Sequence, residues 1–209
     1  MRFLHHIQQD LKLFIYLHVI IMIFRWSFIA IYSGQLNDAN MHDLWLTFWF
    51  GLRISLKTAA AFTAVSLVFA TIPASFLKKW SGDRIRLIWG SISTVVLSFL
   101  FMARIPYYRV FHQSYNIMLF NGMKDDKTAI WQTMVSQYQL WPRLAGCIIL
   151  AAILVYLWYR FSQTKTWTPK QYVRPVVCVI VLFLPVFGIF CRVGGAFNSD
   201  SGVPWEDAG

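Results

Sequence analysis

The sequence is poor in charged residues and poorest in acidic ones. Charged residues make up 13% of the 209, and Asp and Glu number 9 against 19 Lys and Arg. Hydrophobic residues reach 57%, and the mean hydropathy is +0.51. Soluble domains rarely have this balance, whereas membrane proteins with several spans usually do. The composition therefore predicts an integral membrane protein.

The sequence also lacks the patterns that carry most enzyme chemistry. It has no glycine-rich phosphate loop and no paired carboxylates, and its cysteines lie in or beside apolar runs as packing residues. His5 and His6 are adjacent, whereas two metal ligands on one helix are expected three or four residues apart. We therefore expect no catalytic residue and no metal site in this chain. Without acidic residues in the apolar runs or internal repeats, a coupled transporter is not indicated either.

Five apolar runs predict an all-α integral membrane fold with five transmembrane helices. The runs are residues 11–32, 58–77, 87–103, 144–159 and 175–191. Lys and Arg concentrate before the first run, between the second and third (Arg84 and Arg86 among them), and between the fourth and fifth. The excess of bases makes these segments cytoplasmic, which places the N-terminus inside and the C-terminus outside. Residues 1–192 would then be the transmembrane domain, and residues 193–209 the start of an extracellular linker.

Bases and aromatic residues recur on the predicted outer face. Residues 44–77 would be about 51 Å long as one helix, against a membrane core of about 30 Å, so we divide them. Within LWLTFWFGLRISLK, Arg53 and Lys57 lie one helical turn apart, which predicts an outer interfacial helix or an extension of the second span. Residues 50–57 also alternate as a strand would, but lipid excludes an open strand edge, so we expect a helix. A second outer interfacial helix is predicted over residues 125–141.

The candidate site is a set of outer bases and tyrosines that would meet phosphate headgroups. Arginine donates two parallel hydrogen bonds to phosphate, and tyrosine adds a donor at the interface. Ordinary interfacial anchoring by aromatic belts and snorkelling bases is the alternative. The set consists of Arg53, Lys57, Arg104, Tyr107, Tyr108 and Arg109.

Arg25 is a charge inside the first apolar run, where an unpaired charge costs at least about 3 kcal/mol. Two interpretations stay open. The guanidinium is either a buried partner for a carboxylate, a phosphate or a polar network, or it faces other helices or snorkels outward from the outer half of the span.

Three stretches carry a resemblance to a known family: GLRISLKTAA at 51–60, YYRVF at 107–111 and RVGGAFNSDSGVPWEDAG at 192–209. They resemble, in order, the G-L-R-F-D-L segment, the tyrosine-rich outer segment and the exit toward an extracellular domain in the lipoteichoic acid synthase family. These proteins are glycerophosphoryl transferases of the alkaline phosphatase and sulfatase superfamily. Ser55 stands where the family often has aspartate, so a charge pair with Arg53 or Lys57 is lost.

The resemblance implies that this chain is a membrane domain truncated before an extracellular catalytic domain, which would hold the catalytic threonine and manganese. The chain would anchor that domain in a bacterial cytoplasmic membrane and present an anionic phospholipid, such as phosphatidylglycerol, at the outer leaflet. No cofactor is expected in the chain itself, and no nucleic acid partner. Two alternatives stay open: the membrane domain of a phosphoethanolamine transferase, and a non-enzymatic five-span sensor or assembly partner.

Overall fold

The computed structural model describes residues 2–32, 34, 41–77, 80–111 and 140–165, and these ranges are helical apart from short turns. A π-helical turn, Leu67–Thr71, joins the second helix to the third without a break. Within the described ranges there is no strand, which confirms the all-α prediction for them. The helices are α1 (Arg2–Ile31), α2 (Met41–Ser66), α3 (Ile72–Phe76), α4 (Gly82–Phe111) and α5 (Leu140–Ser162).

Among the described residues, helical segments at four places are long and apolar enough to cross a membrane: Phe3–Ile31, Thr47–Phe76, Gly82–Arg109 and Trp141–Ser162. Each overlaps one of the first four predicted spans, and together they indicate a membrane protein. The predicted fifth span, the linker and nearly all of the second interfacial helix lie outside the described residues. The count of five spans and the orientation therefore stay predictions.

The helices expose apolar side chains and bury small hydroxyl groups. On α1, Ile15, Val19 and Ile23 recur every fourth residue and are 44%, 47% and 54% exposed. On α2, Ser55 and Thr63 are buried, and each donates its hydroxyl to the carbonyl four residues earlier, at 2.7 and 2.8 Å. Apolar surfaces over buried small residues are typical of helices that pack in lipid.

Residues 41–76 form one uninterrupted helical segment, so the predicted division between an interfacial helix and the second span is wrong. No proline lies between residues 44 and 72 to end the helix, and lipid favours a backbone whose hydrogen bonds are all internal. The alternative prediction, that residues 44–57 extend the helix of the second span, agrees with the continuous helix α2. The choice of helix over strand for residues 50–57 is confirmed.

Two helices begin earlier than hydropathy predicts. α1 begins at Arg2 rather than at residue 11, and α4 at Gly82 rather than at residue 87. Asp10 and Asp83 lie outside the predicted apolar runs but within the longer apolar helices Phe3–Ile31 and Gly82–Arg109. Arg86, assigned above to a cytoplasmic loop, is a buried helical residue. Both early starts are explained by the pairing of these charges, described below.

The described residues group into two compact units. Of the described residues, one unit contains those up to 93 and those from 157 to 165, and the other contains those from 94 to 156. α1, α2, the π turn and α3 lie wholly in the first unit, whereas α4 and α5 contribute residues to both. In the first unit, α1 packs against α2, the π turn and α3.

Gly90 of α4 allows a close contact between α4 and Trp158 of α5. A Cβ built on Gly90 would lie 2.5 Å from Nε1 of Trp158 and 3.0 Å from Cδ1 of Leu13. The indole of Trp158 is fully buried there, donates to the carbonyl of Leu87 at 3.2 Å, and lies against the ring of Tyr16 at 5.1 Å. Glycine at this position therefore lets α4 receive the large α5 side chain.

Candidate functional site

The strongest polar cluster in the first unit is built around Asp10 of α1. Its carboxylate is 1% exposed and pairs with Nε of Arg86, itself 2% exposed, at 2.7 Å. Ser66 donates to Oδ1 at 2.8 Å, and the Thr71 hydroxyl donates to Oδ2. Nη2 of Arg86 also donates to the Thr71 hydroxyl at 2.7 Å. A buried charge pair is tolerated when hydrogen bonds satisfy the remaining lone pairs and protons, and these contacts do so.

The π turn is what allows two hydroxyls from one helical segment to reach the same carboxylate. Ser66 and Thr71 are five positions apart, and in an α-helix they would point about 140° away from each other. In the π turn the backbone bond runs from the N–H of Ile72 to the carbonyl of Leu67, which spans five residues. The wider turn brings both side chains to Asp10.

A proline and a tryptophan accompany this turn. Pro73 has no N–H, so it cannot bond to the Phe69 carbonyl four residues earlier. The indole N–H of Trp80 donates to that carbonyl at 3.2 Å instead. The Phe69 carbonyl, which Pro73 cannot bond to, therefore accepts its hydrogen bond from a side chain that lies outside the helix.

Asp83, at the start of α4, links the buried pair to two histidines. Nη1 of Arg86 donates to Oδ1 of Asp83 at 2.9 Å. Nδ1 of His6 lies 3.4 Å from the same oxygen, and Nε2 of His5 lies 3.5 Å from Oδ2. The His6 contact does not have hydrogen-bond geometry, so this buried Nδ1 has no hydrogen-bond partner among the described residues.

A cavity of about 520 Å³ adjoins this cluster on the side of α5. Carboxylate, guanidinium, amine and imidazole groups all face it, so it can hold water or a small polar ligand. Its polar lining includes His5, Asp83, Arg84, Arg86, Gln163 and Lys165.

The other end of α1 carries Arg25, which lies against Gly51 of α2. A Cβ built on Gly51 would be 2.6 Å from Cδ of Arg25 and 3.0 Å from both Nε and Nη1. Gly51 is the first residue of the GLRISLK stretch. Arg25, singled out as a charge in the first apolar run, and Gly51, singled out as part of the motif, are therefore neighbours in the structure.

Arg53 and Lys57 of the candidate site follow on α2. The guanidinium carbon of Arg53 lies 5.8 Å from the centre of the Phe50 ring, within the range of a cation–π contact. Its Nε is buried and has no hydrogen-bond partner in the described part of the chain. Ser55, which replaces the aspartate of the resembled family, donates to the Gly51 carbonyl rather than facing a base.

Aromatic rings surround this end of α1 and α2. Trp26 lies 5.4 Å from Phe48, and Phe48 lies 5.5 Å from Trp45. Trp45 and Trp49 are 63% and 48% exposed. Exposed tryptophans near a helix end are typical of the membrane–water interface.

The remaining candidate residues lie on the C-terminal part of α4, in the second unit. Tyr107 is buried, Arg104 and Tyr108 are partly exposed, and Arg109 is exposed. Arg53 and Lys57 belong to the first unit, so the six predicted headgroup contacts are distributed over both units. Their joint role as one site stays a prediction.

Sequence reasoning missed the Asp10 cluster. Its partners are separated by 56 to 76 residues along the chain, and no local motif joins them. The available signal was the position of Asp10 beside an apolar run of membrane length, which should have marked it as a candidate buried carboxylate.

In comparisons with known proteins, no family model, curated protein or solved structure matches the chain.

Proposed function

We propose that the chain is the membrane domain of a glycerophosphoryl transferase of the lipoteichoic acid synthase type, and that it presents an anionic phospholipid to an extracellular catalytic domain. The observation that carries the proposal is the buried Nε of Arg53, which has no hydrogen-bond acceptor among the described residues. A guanidinium donor in that position is suited to a phosphate oxygen, with which it forms a charge-assisted hydrogen bond.

Neighbouring groups support the same ligand. Lys57 lies one turn along α2 from Arg53, and Arg25 lies over Gly51 of the same stretch. The exposed tryptophans at this end fit the depth at which lipid phosphates lie. The proposal places this end at the outer leaflet of a bacterial cytoplasmic membrane, with five spans and the C-terminus outside, as the distribution of bases predicts.

In the proposed reaction, an acceptor hydroxyl displaces diacylglycerol from the phosphorus of phosphatidylglycerol. The acceptor oxygen forms the new bond to phosphorus, and the diacylglycerol oxygen leaves with a proton. This chain contributes the positioning of the donor headgroup and none of the reacting side chains.

The first test is lipid retention by the purified chain in detergent micelles, measured by native mass spectrometry. The chain is mixed with equal amounts of phosphatidylglycerol, phosphatidylethanolamine and phosphatidylcholine. We expect preferential retention of phosphatidylglycerol, weakened about tenfold in Arg53→Gln, because a hydrogen bond to a charged group contributes about 1.5–3 kcal/mol. Arg160→Gln, which removes an exposed base at the end of α5, is the matched control and should retain the lipid.

Other outcomes separate the alternatives. Preference for phosphatidylethanolamine would favour the phosphoethanolamine transferase interpretation. Equal retention of all three lipids, or equal losses in Arg53→Gln and Arg160→Gln, would contradict the lipid-presenting role and favour a sensor or assembly partner.

A further inference from the structure

Three side chains that commonly bind metal ions meet where α1 and α4 begin. His5, His6 and Asp83 each offer one donor atom, and these atoms all lie within 4.8 Å of one another. We propose that the three residues bind one divalent transition-metal ion, with Zn²⁺ the cation best matched to two imidazoles and a carboxylate. The site is separate from the proposed lipid site, which lies toward the other end of α1.

The distances between the donor atoms suit a tetrahedral ion. Metal–ligand bonds of about 2.0–2.1 Å at tetrahedral angles place neighbouring donors about 3.3–3.4 Å apart. Nδ1 of His6 is 3.4 Å from Oδ1 of Asp83, and Nε2 of His5 is 3.5 Å from Oδ2. The two imidazoles meet edge to face, with ring centres 5.4 Å apart, and their donor atoms lie within 4.8 Å of each other.

His6 supplies an independent indication of a ligand. The residue is only 9% exposed, and its Nδ1 faces Asp83 without a hydrogen bond from any described residue. Buried ring nitrogens normally have a partner, since water is not available to replace one. A metal ion at this point would accept the lone pair of Nδ1, and Nε2 would then carry the imidazole proton.

Two carboxylates lie beside the proposed ion. Those of Asp10 and Asp83 share the buried guanidinium of Arg86, while the bases Arg84 and Lys165 line the adjoining cavity. Arg86 bonds to Oδ1 of Asp83 and thereby holds the carboxylate in place, with Oδ1 toward His6 and Oδ2 toward His5. Such bonds behind a metal ligand orient it and strengthen the site.

The cavity beside His5 and Asp83 provides the fourth ligand position. Three protein donors leave one tetrahedral position for water, and the cavity of about 520 Å³ is large enough for that water and its neighbours. Arg84 and Lys165 line the same space, so a small anion is an alternative fourth ligand. No metal site was expected from the sequence, because His5 and His6 lack the three- or four-residue spacing of two ligands on one helix and the third donor, Asp83, comes from another helix.

The proposal is tested with Co²⁺, whose visible absorption reports tetrahedral coordination. The chain is purified in detergent micelles with a tag that contains no histidine, and Co²⁺ is titrated and then displaced with Zn²⁺. We expect one ion per chain, and at least about tenfold weaker binding in His5→Gln. His5 is 40% exposed, so this variant should fold, and His18→Gln on the same helix is the matched control with unchanged binding.

A second variant, Asp83→Asn, tests another of the three proposed ligands. Asp83→Asn retains the shape of the side chain but loses the charge, and it should also bind Co²⁺ at least about tenfold more weakly. Absence of stoichiometric Co²⁺ binding by the unmodified chain would overturn the proposal. So would unchanged affinity in both His5→Gln and Asp83→Asn, because the ion would then lie elsewhere.

Discussion

At the residue scale, the buried carboxylate of Asp10 accepts hydrogen bonds from three segments: α2 through Ser66, the π turn through Thr71, and α4 through Arg86. If the carboxylate were removed, the Ser66 and Thr71 hydroxyls and Nε of Arg86 would each lose this acceptor. The interactions are therefore interdependent, and their removal should be strongly non-additive.

Asp10→Ala should destabilise the chain by about 3–5 kcal/mol, because the buried Arg86 loses the closer of its two carboxylate partners and the buried hydroxyls of Ser66 and Thr71 lose their acceptor. The measurement is thermal unfolding in detergent micelles followed by circular dichroism. The double variant Asp10→Ala with Arg86→Met should lose less than the sum of the two single losses. Additive losses would show that the two side chains do not interact.

Gly90→Ala should destabilise the chain by about 1–3 kcal/mol, because the added methyl group would overlap the buried indole of Trp158. Gly146→Ala is the matched control, since a Cβ there meets only the methyl group of Met102 at an ordinary 3.7 Å. Unfolding temperatures of the two variants give the comparison. An equal effect at both glycines would contradict the contact at Gly90.

Local patterns predicted some of these residues and could not predict others. Arg25 and Gly51 were each singled out from the sequence, one as a charge in an apolar run and the other as part of a motif. Their contact depends on how α1 packs against α2, which no local pattern contains. Arg86 was assigned to a loop because charged residues are counted as loop residues when hydropathy alone sets the boundaries of a span.

At the element scale, the hydropathy of the sequence located four helices and misjudged their ends. α1 and α4 extend over polar residues because the ion pair between Asp10 and Arg86 makes burial of both charges acceptable. The π turn was not predicted at all, since it differs from an α-helix by one residue and has no apolar period of its own.

Insertion of one alanine after Val68 should separate Ser66 from Thr71 on the helix surface, because the two residues would then be six positions apart. We expect a loss of stability of about 3 kcal/mol or more, similar to the loss in Asp10→Ala, because the same hydrogen bonds break. Deletion of Val68 is the control, since it leaves Ser66 and Thr71 four positions apart, a spacing that an α-helix places on one face. The measurement is the unfolding temperature of each variant in detergent micelles. A loss in the insertion variant no larger than that in the deletion variant would show that the spacing in this turn does not position the hydroxyls.

At the scale of the whole molecule, composition indicated a membrane protein, and the four long apolar helices agree with it. The first unit has two distinct polar regions on α1. Asp10, His5 and His6 lie near its N-terminus, and Arg25 lies 20 residues beyond His5, about 30 Å along the axis. This separation is close to the thickness of a membrane core, which fits a proposed metal site at one face and a proposed lipid site at the other.

The most direct test of the proposed function measures transfer by the native gene product. Membranes that contain it are given phosphatidylglycerol labelled in its acyl chains, and labelled diacylglycerol is quantified. The account predicts release of diacylglycerol, reduced about tenfold by Arg53→Gln in the native product and unchanged by Arg160→Gln. Release no greater than from membranes that lack the gene product would contradict it.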